Sequence, residues 1–399
     1  MVGIGGIGMS ALAQLYAAQG AHVSGSDREK SPATEMLTKK GIKIFFGQQA
    51  QNVPDDAELL VYSDAVPLDN PERARARELG IQERSYFEAL GYAAEGKRVV
   101  AVAGTHGKTT TTAMLGKILA DAGADPTVIV GSLAADFGSN FRAGASDIFV
   151  VEACEYRKHF LVFHPEVLVI TNTEWDHTDY FKDFKEMIAA FDEAKRQART
   201  VISSEQYAKE IAPALLIPGE FNKENARAAK AAARAIAPDI SEASMDSSLS
   251  SFRGTWRRFE YKGKLPSGAL LYDDYAHHPT AIEKTIEAAR EKFPGKKIVV
   301  AFHPHLYSRT RDLFDDFAKA LALADTAFIL PVYAAREPYD PAVSSPALAD
   351  AINKNGGKAF AVEGLTAVTQ KLKTLSPDTV AFTMGAGDVY RAGEKALKP

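Results

Sequence analysis

The chain has 399 residues, 46% hydrophobic and 25% charged, the balance of an ordinary soluble globular protein and too long for one compact core. A formal net charge of −4, from 47 basic and 51 acidic side chains, gives no electrostatic reason to expect nucleic acid or an anionic membrane as partner. The single cysteine, Cys154, excludes an internal disulfide and a Cys-rich zinc site, and a reducing cytoplasm is the simple reading.

The opening MVGIGGIGMSALAQL lacks the charged region and cleavage site of a signal peptide. No apolar run reaches the length of a membrane span, so no membrane insertion is expected. Gly3-Ile4-Gly5-Gly6-Ile7-Gly8 fits G-x-G-x-x-G, and Asp27 ends the next apparent strand about 20 residues on, as in a dinucleotide fingerprint. Such glycines let the backbone approach a diphosphate, whose charge the following helix N-terminus favours. A nicotinamide or flavin dinucleotide and a UDP-sugar both fit; the local residues do not separate them. Only Met1 and Val2 precede Gly3, too few for an ordinary first strand, so a start upstream or a clipped strand is expected. A strand at Leu59–Tyr62 follows, and polar Ala94–Lys97 marks a boundary.

Beyond it, a strand at Val99–Ala103 feeds Gly104-Thr105-His106-Gly107-Lys108-Thr109 and a helix over Thr109–Ala122. This is a shortened Walker loop, with Val102 standing where the first glycine of G-x-x-x-x-G-K-[ST] belongs. Its amides and helix N-terminus suit phosphates, Lys108 reaches the β/γ oxygens of ATP, and Thr109 suits Mg²⁺. Glu152 closes a strand at Ile148–Glu152, the usual exit point of a metal-binding carboxylate in an open α/β sheet. Another strand is read at Val167–Thr171.

An Ala-rich helix over Asn225–Ala237 stops at Pro238, and SEASMDSSLSS reads as a Ser-rich connector. Helices at Ala281–Lys292 and Leu313–Ala324 then alternate with strands at Lys297–Phe302, Ala327–Pro331 and Val380–Met384. The alternation predicts an α/β protein with parallel sheets in three domains, roughly 1–96, 97–245 and 246–399.

Taken in order, GIGGIGMSALA, VSGSD, the NPE at Asn70–Glu72, AGTHGKTTTT, EACEYRKHFL and TNTEWDHTDYF resemble the Mur ligases. So do PGEFNKENARAA, GTWRRFE, DDYAHHPTAI, FHPHLYSRTRDLFDDFA, PVYAAREP and MGAGDVY, the last four favouring the alanine-adding branch. These are cytoplasmic, ATP-dependent amide-bond formers of peptidoglycan synthesis. The resemblance implies a Rossmann-like UDP-binding domain, a central P-loop ATPase domain and a Rossmann-like C-terminal domain for the amino acid. It implies UDP-N-acetylmuramate and L-alanine as substrates, a monomer or homodimer, and a lactyl carboxylate activated by ATP as an acyl phosphate. The recycling branch, which attaches a whole peptide to the same sugar, is the alternative.

By resemblance, Gly5, Gly6, Ile7 and Gly8 hold UDP-sugar phosphates, Ser26 and Asp27 face the uridine, and His106 lies near the sugar carboxylate. Gly104, Thr105, His106, Gly107, Lys108, Thr109 and Thr110 cradle ATP. Glu152 and His177 join Thr109 as metal ligands, with Glu174 and Asp176 as candidate neighbours of His177. Asn222 and Asn225 match the adenine-side pair, although Asn222 also reads as a plain N-cap. Arg258 is expected on the ATP phosphates and Asp274 on the ribose. Tyr275, His277, His278, His305 and Arg309 are expected to form the amino-acid pocket, Arg309 taking the carboxylate because a planar guanidinium matches it bidentately. The catalytic set is thus Lys108, Glu152, His177 and Arg309. Relatives place His at Phe221, some place Arg at Leu306, and many place Asp at Cys154. The stretch from Phe181 to Pro218 is shorter than in most of them, implying a trimmed central domain.

Overall fold

The alternation of strands and helices resolves, in a computed structural model describing residues 1–335 and 337–398, into three sheets. Arg336, inside the PVYAAREP motif, and Pro399 lie outside the described residues. The first sheet consists of two parallel pairs, Ser24–Asp27 with Lys43–Phe46 and Leu59–Tyr62 with Gln82–Ser85. Val2 joins them, bridging in parallel to Ser26 on one side and to Tyr62 on the other. The expected first strand is therefore reduced to one residue, held because its amide donates to Val61 O and its carbonyl accepts from Ser63 N.

The central sheet runs Thr200–Ile202, Val167–Ile170, Arg98–Ala103, Ile148–Glu152, Thr127–Ala134 and Ser139–Arg142, with only the last antiparallel. Its strands are almost continuously apolar because both faces are covered. One face packs against the first domain, through Leu12 and Leu15 of helix Ile7–Ala18 and Leu90 of helix Tyr86–Ala93. The other packs under helices Lys108–Asp121, Glu220–Ile236 and Glu242–Ser250. That last helix corrects the Ser-rich connector. Ser241 caps it by accepting from Ser244 N, and Met245 and Leu249, one turn apart, bury themselves in the central core. The boundary drawn at 245 thus falls inside a helix.

The third sheet runs Glu260–Lys264, Leu270–Asp274, Thr379–Met384, Lys297–Phe302, Thr326–Ile329 and Ala359–Ala361, parallel except for its first strand. In the central sheet the chain leaves Arg98–Ala103 toward one side and later fills the other, a switch point where loops splay apart. The C-terminal ends of the central and third sheets face each other, their loops lining a common cavity. Among the described residues, no helix is long and apolar enough to cross a membrane.

Candidate active site

The phosphate loop leaves its strand at Ala103 and enters helix Lys108–Asp121 through Gly107, at φ +82°. A Cβ at Gly107 would sit 2.2 Å from Asn225 Oδ1, so glycine is required both for the left-handed turn and for the approach of helix Glu220–Ile236. The loop is stitched to the neighbouring strand end. His106 N donates to Asn172 Oδ1 at 2.9 Å, and Thr105 Oγ1 both donates to Glu174 O and accepts from Glu174 N, at 2.9 and 2.8 Å.

Lys108 folds back over this loop. Its ammonium donates to Gly104 O at 2.5 Å and Thr105 O at 3.2 Å, and lies 3.0 Å from Glu155 Oε2. Burial works against both charges, but each charge outweighs it for the other: the Lys108 pKa is raised and that of Glu155 lowered. His177, at φ +53°, brings Nε2 within 3.4 Å of Glu155 Oε1. Glu155 therefore joins two expected catalytic residues, and the sequence reading missed it. Its only signal was a second carboxylate in EACE, and nothing local pairs it with a lysine 47 positions away.

Glu152 reaches over the neighbouring strand Thr127–Ala134, its Oε2 accepting from Gly131 N at 2.8 Å. A Cβ on Gly131 would meet that oxygen at 2.3 Å, so a bare backbone there sets the position of the carboxylate. Glu152 borders a cavity of about 310 Å³ shared with Gly6, Ile7, Gly8, Tyr86 and Cys154. It also borders one of about 470 Å³ with Thr109, Arg258 and Tyr275. The Glu152 carboxylate and Thr109 hydroxyl are hard oxygen donors on one cavity wall, a set that fits Mg²⁺. Cys154 is inert here, because burial, with Glu155 adding to it, pushes its thiol up to about 12.

On the opposing edge, Arg257 and Arg258 have different surroundings. Arg257 is buried, donating to Asp273 Oδ2 and to the carbonyls of Gly385 and Gly387, so it braces the third domain. Arg258 faces the cleft with its guanidinium 5.1 Å from the Tyr275 ring centre. Both oxygens of Asp274 accept backbone amides, from Phe259 and Ala276, so its carboxylate orders these turns where the sequence reading put it on a ribose. Burial, only partly countered by Arg258, pushes its pKa up to about 6.

Arg309 is 3% exposed, and its Nε donates to Asp176 Oδ1 at 2.8 Å, with His305 Nδ1 3.3 Å from the guanidinium. Asp176 Oδ1 also accepts from His177 N, so one carboxylate ties the His177 turn to the third domain. Burial alone would raise the Asp176 pKa, but Arg309 with the nearby histidines holds it well below the usual range. His277 donates from Nδ1 to Tyr275 O at 2.8 Å, and burial with Arg309 holds its pKa well below that of a free histidine.

Lys108, Glu152, His177, Arg258, His277 and Arg309 thus border one cavity of about 250 Å³. Other expected residues lie apart from it. Asn222 is not an N-cap: the cap is Gly219, and the Asn222 amide donates to Pro218 O from inside the helix. Asn225 accepts from Thr111 Oγ1 beneath the loop. Ser26 is fully buried and donates to Glu72. Asp27 Oδ2 accepts from Gly5 N at 2.7 Å, so its carboxylate shapes the first glycine loop.

Three family models match the chain: Mur ligase family, catalytic domain, over 1–98; Mur ligase middle domain over 102–195; and Mur ligase, glutamate ligase domain, over 257–387. The UDP-N-acetylmuramate–L-alanine ligase of Desulfitobacterium hafniense (strain Y51) is 39% identical over 445 aligned positions, covering 99% of this chain and 98% of the relative. That of Clostridium novyi (strain NT) is 38% identical over 446, covering 100% and 96%. Both alignments are longer than the chain, so these relatives carry stretches that it lacks. Among solved structures, the UDP-N-acetylmuramate–alanine ligase of Thermotoga maritima superposes with a TM-score of 0.83 at 31% identity, covering 100% of this chain and 97% of that one. A murein peptide ligase from Psychrobacter arcticus shares the fold at a TM-score of 0.70 and 23% identity, covering 99% and 97%.

Proposed function

The chain belongs to the Mur ligase family, and we propose that it joins L-alanine to the lactyl carboxylate of UDP-N-acetylmuramate at the expense of ATP, in the cytoplasm. The observation that carries this reading is the convergence of a phosphate-loop lysine and a third-domain arginine on one cavity. It is supported by full-length similarity to L-alanine ligases above 35% identity.

A carboxylate is a poor electrophile, so its oxygen first attacks the γ-phosphorus of ATP, giving an acyl phosphate and ADP. The amine of alanine then attacks the acyl carbon, and inorganic phosphate leaves with the former carboxylate oxygen. Two anions meet in the first step, so positive groups must converge there. Lys108 and the N-terminus of helix Lys108–Asp121 face the phosphates from the central sheet, and Arg258 from the third. Lys108 must exchange Gly104 O and Thr105 O for phosphate oxygens, while Glu155 keeps it charged and in place. Thr109, Glu152 and His177 would hold Mg²⁺, which when bound neutralises phosphate charge.

Arg309, oriented by Asp176, suits the alanine carboxylate, and Tyr275 walls the methyl side. Neutral His277, with its Nδ1 proton on Tyr275 O, offers Nε2 to the proton that the ammonium must lose. Closing the third domain over the second excludes water from the acyl phosphate. Gly6, Ile7 and Gly8 suit the UDP-sugar diphosphate, beside a cavity reaching Glu152.

The test is phosphate release with UDP-N-acetylmuramate, ATP and Mg²⁺ against a panel of amino acids and the murein tripeptide. L-alanine should give the fastest release, with glycine and serine slower because a hydrophobic wall discriminates by only about 1–3 kcal/mol per methylene. Release with the tripeptide alone would assign the chain to the recycling reaction.

A further inference from the structure

On the far side of His106 from Lys108, three side chains from three segments converge: His106 from the phosphate loop, Glu174 from the end of strand Val167–Ile170, and His278 from the third domain. Their ligand atoms all lie within 4.8 Å of one another. His106 Nε2 is 3.6 Å and His278 Nδ1 3.9 Å from the same oxygen, Glu174 Oε2, and the two rings are 4.7 Å apart. Both nitrogens are buried with no hydrogen-bond partner, and His278 as a whole is only 6% exposed. A buried ring nitrogen left unsatisfied is costly and calls for an explanation.

The tautomer of His278 supplies one. Its Nε2 lies 3.3 Å from Trp175 O, a carbonyl that can only accept, so the proton sits on Nε2 and the Nδ1 lone pair is turned toward Glu174. A second hydrogen bond orienting a histidine in this way is the usual companion of metal ligation. Thr280 Oγ1 donates to Glu174 Oε2 at 2.6 Å, fixing the carboxylate from outside. The backbone of His106 is held as well, since its carbonyl accepts from Thr171 Oγ1 at 2.5 Å and Asn172 Nδ2 at 3.1 Å, while its amide donates to Asn172.

From this arrangement we infer a second cation site, distinct from the Thr109–Glu152–His177 group, in which His106 Nε2, His278 Nδ1 and Glu174 bind a borderline transition-metal ion of the Zn²⁺ class. Two imidazoles and one carboxylate suit Zn²⁺ better than Mg²⁺, whose proposed ligands Thr109, Glu152 and His177 supply two oxygens and a single imidazole. An ion can arrive from the opposite side of the cleft, where Glu174, His278 and Thr280 border a cavity of about 760 Å³. Bound there, it would link the phosphate loop to the third domain and withdraw His106 and His278 from substrate.

Co²⁺ is the probe. Metal-free full-length protein, with Mg²⁺ in excess to fill the hard-oxygen ligands, is titrated with Co²⁺ and followed by its visible ligand-field absorption. One equivalent should produce a band that Zn²⁺ displaces. The band should vanish in Glu174→Gln and His278→Ala. Thr280→Val, which leaves all three ligands in place, should weaken binding about 10- to 100-fold. His177→Asn should keep the band. No band in the wild type, or a band lost in His177→Asn and kept in Glu174→Gln, would overturn the inference and leave the cluster as a His106–Glu174 ion pair.

Discussion

The central sheet meets its two neighbours in opposite ways. Toward the first domain it shares a continuous apolar core, with Met9, Leu12, Leu15 and Leu90 packed on Ala101, Ile129, Phe149 and Val151. Toward the third domain Trp175 and Phe221, both only partly buried, pack on its core at the cleft. Beside them lie polar contacts: Asp176 to Arg309, Glu174 to Thr280, and Trp175 O to His278. Apolar burial is non-directional and holds a fixed joint, whereas charged and hydrogen-bonded contacts can be exchanged for those of a ligand. The first joint holds one substrate domain against the ATPase domain.

Breaking the polar joint should give the largest effect. Asp176→Asn leaves Arg309 buried without its counter-charge, so we expect a cost of about 3–5 kcal/mol in domain docking or folding. It should also raise KM for L-alanine, through Arg309, more than KM for ATP; calorimetry with steady-state kinetics on both substrates measures this. Leu12→Ala breaks the apolar joint and should cost about 2–5 kcal/mol in urea unfolding. Under native conditions its KM values should stay close to wild type, and a selective rise in KM for L-alanine would erase the distinction between the joints.

Lys108→Ala sharpens the comparison from the chemical side. Removing a charge proposed to face the transferring phosphoryl group should lower kcat by about 10²–10³-fold, and because it strands the buried Glu155 carboxylate it should cost stability as well. The smallest effect is one of pH. Glu174 has its pKa depressed to about 2 by its His106 contact, acting against burial. A depressed carboxyl stabilises above its unfolded value near 4.5, and that contribution is lost as pH falls from there toward 2. Glu174→Gln should flatten acid unfolding in that window, and an unchanged profile would remove Glu174 from the joint.

Both glycine loops and Glu152 at its strand end were readable because each is a local pattern of turn, strand and helix start, whereas His177 and Arg309 were singled out through the family resemblance. What escaped reading depends on distant partners. Glu155 matters only because Lys108 folds onto it from another strand end, and Asp176, read as a neighbour of His177, also pairs with Arg309 across 133 residues. Val2 counts as strand only through neighbours on both sides. The helix Glu242–Ser250 was masked by composition, since its serines suggested a linker while Met245 and Leu249, at helical spacing, had a core to enter. Ser26 and Asp274 lie at the expected strand ends, but their side chains turn toward Glu72 and toward backbone amides.

If the cleft between the two sheet edges moves phosphoryl onto a carboxylate, the carboxylate oxygen must leave with the phosphate. UDP-N-acetylmuramate carrying heavy oxygen in its lactyl carboxylate, incubated with the protein, ATP, Mg²⁺ and L-alanine, should release phosphate bearing one heavy oxygen for each amide formed. Amide formation with unlabelled phosphate would contradict acyl-phosphate chemistry at this site.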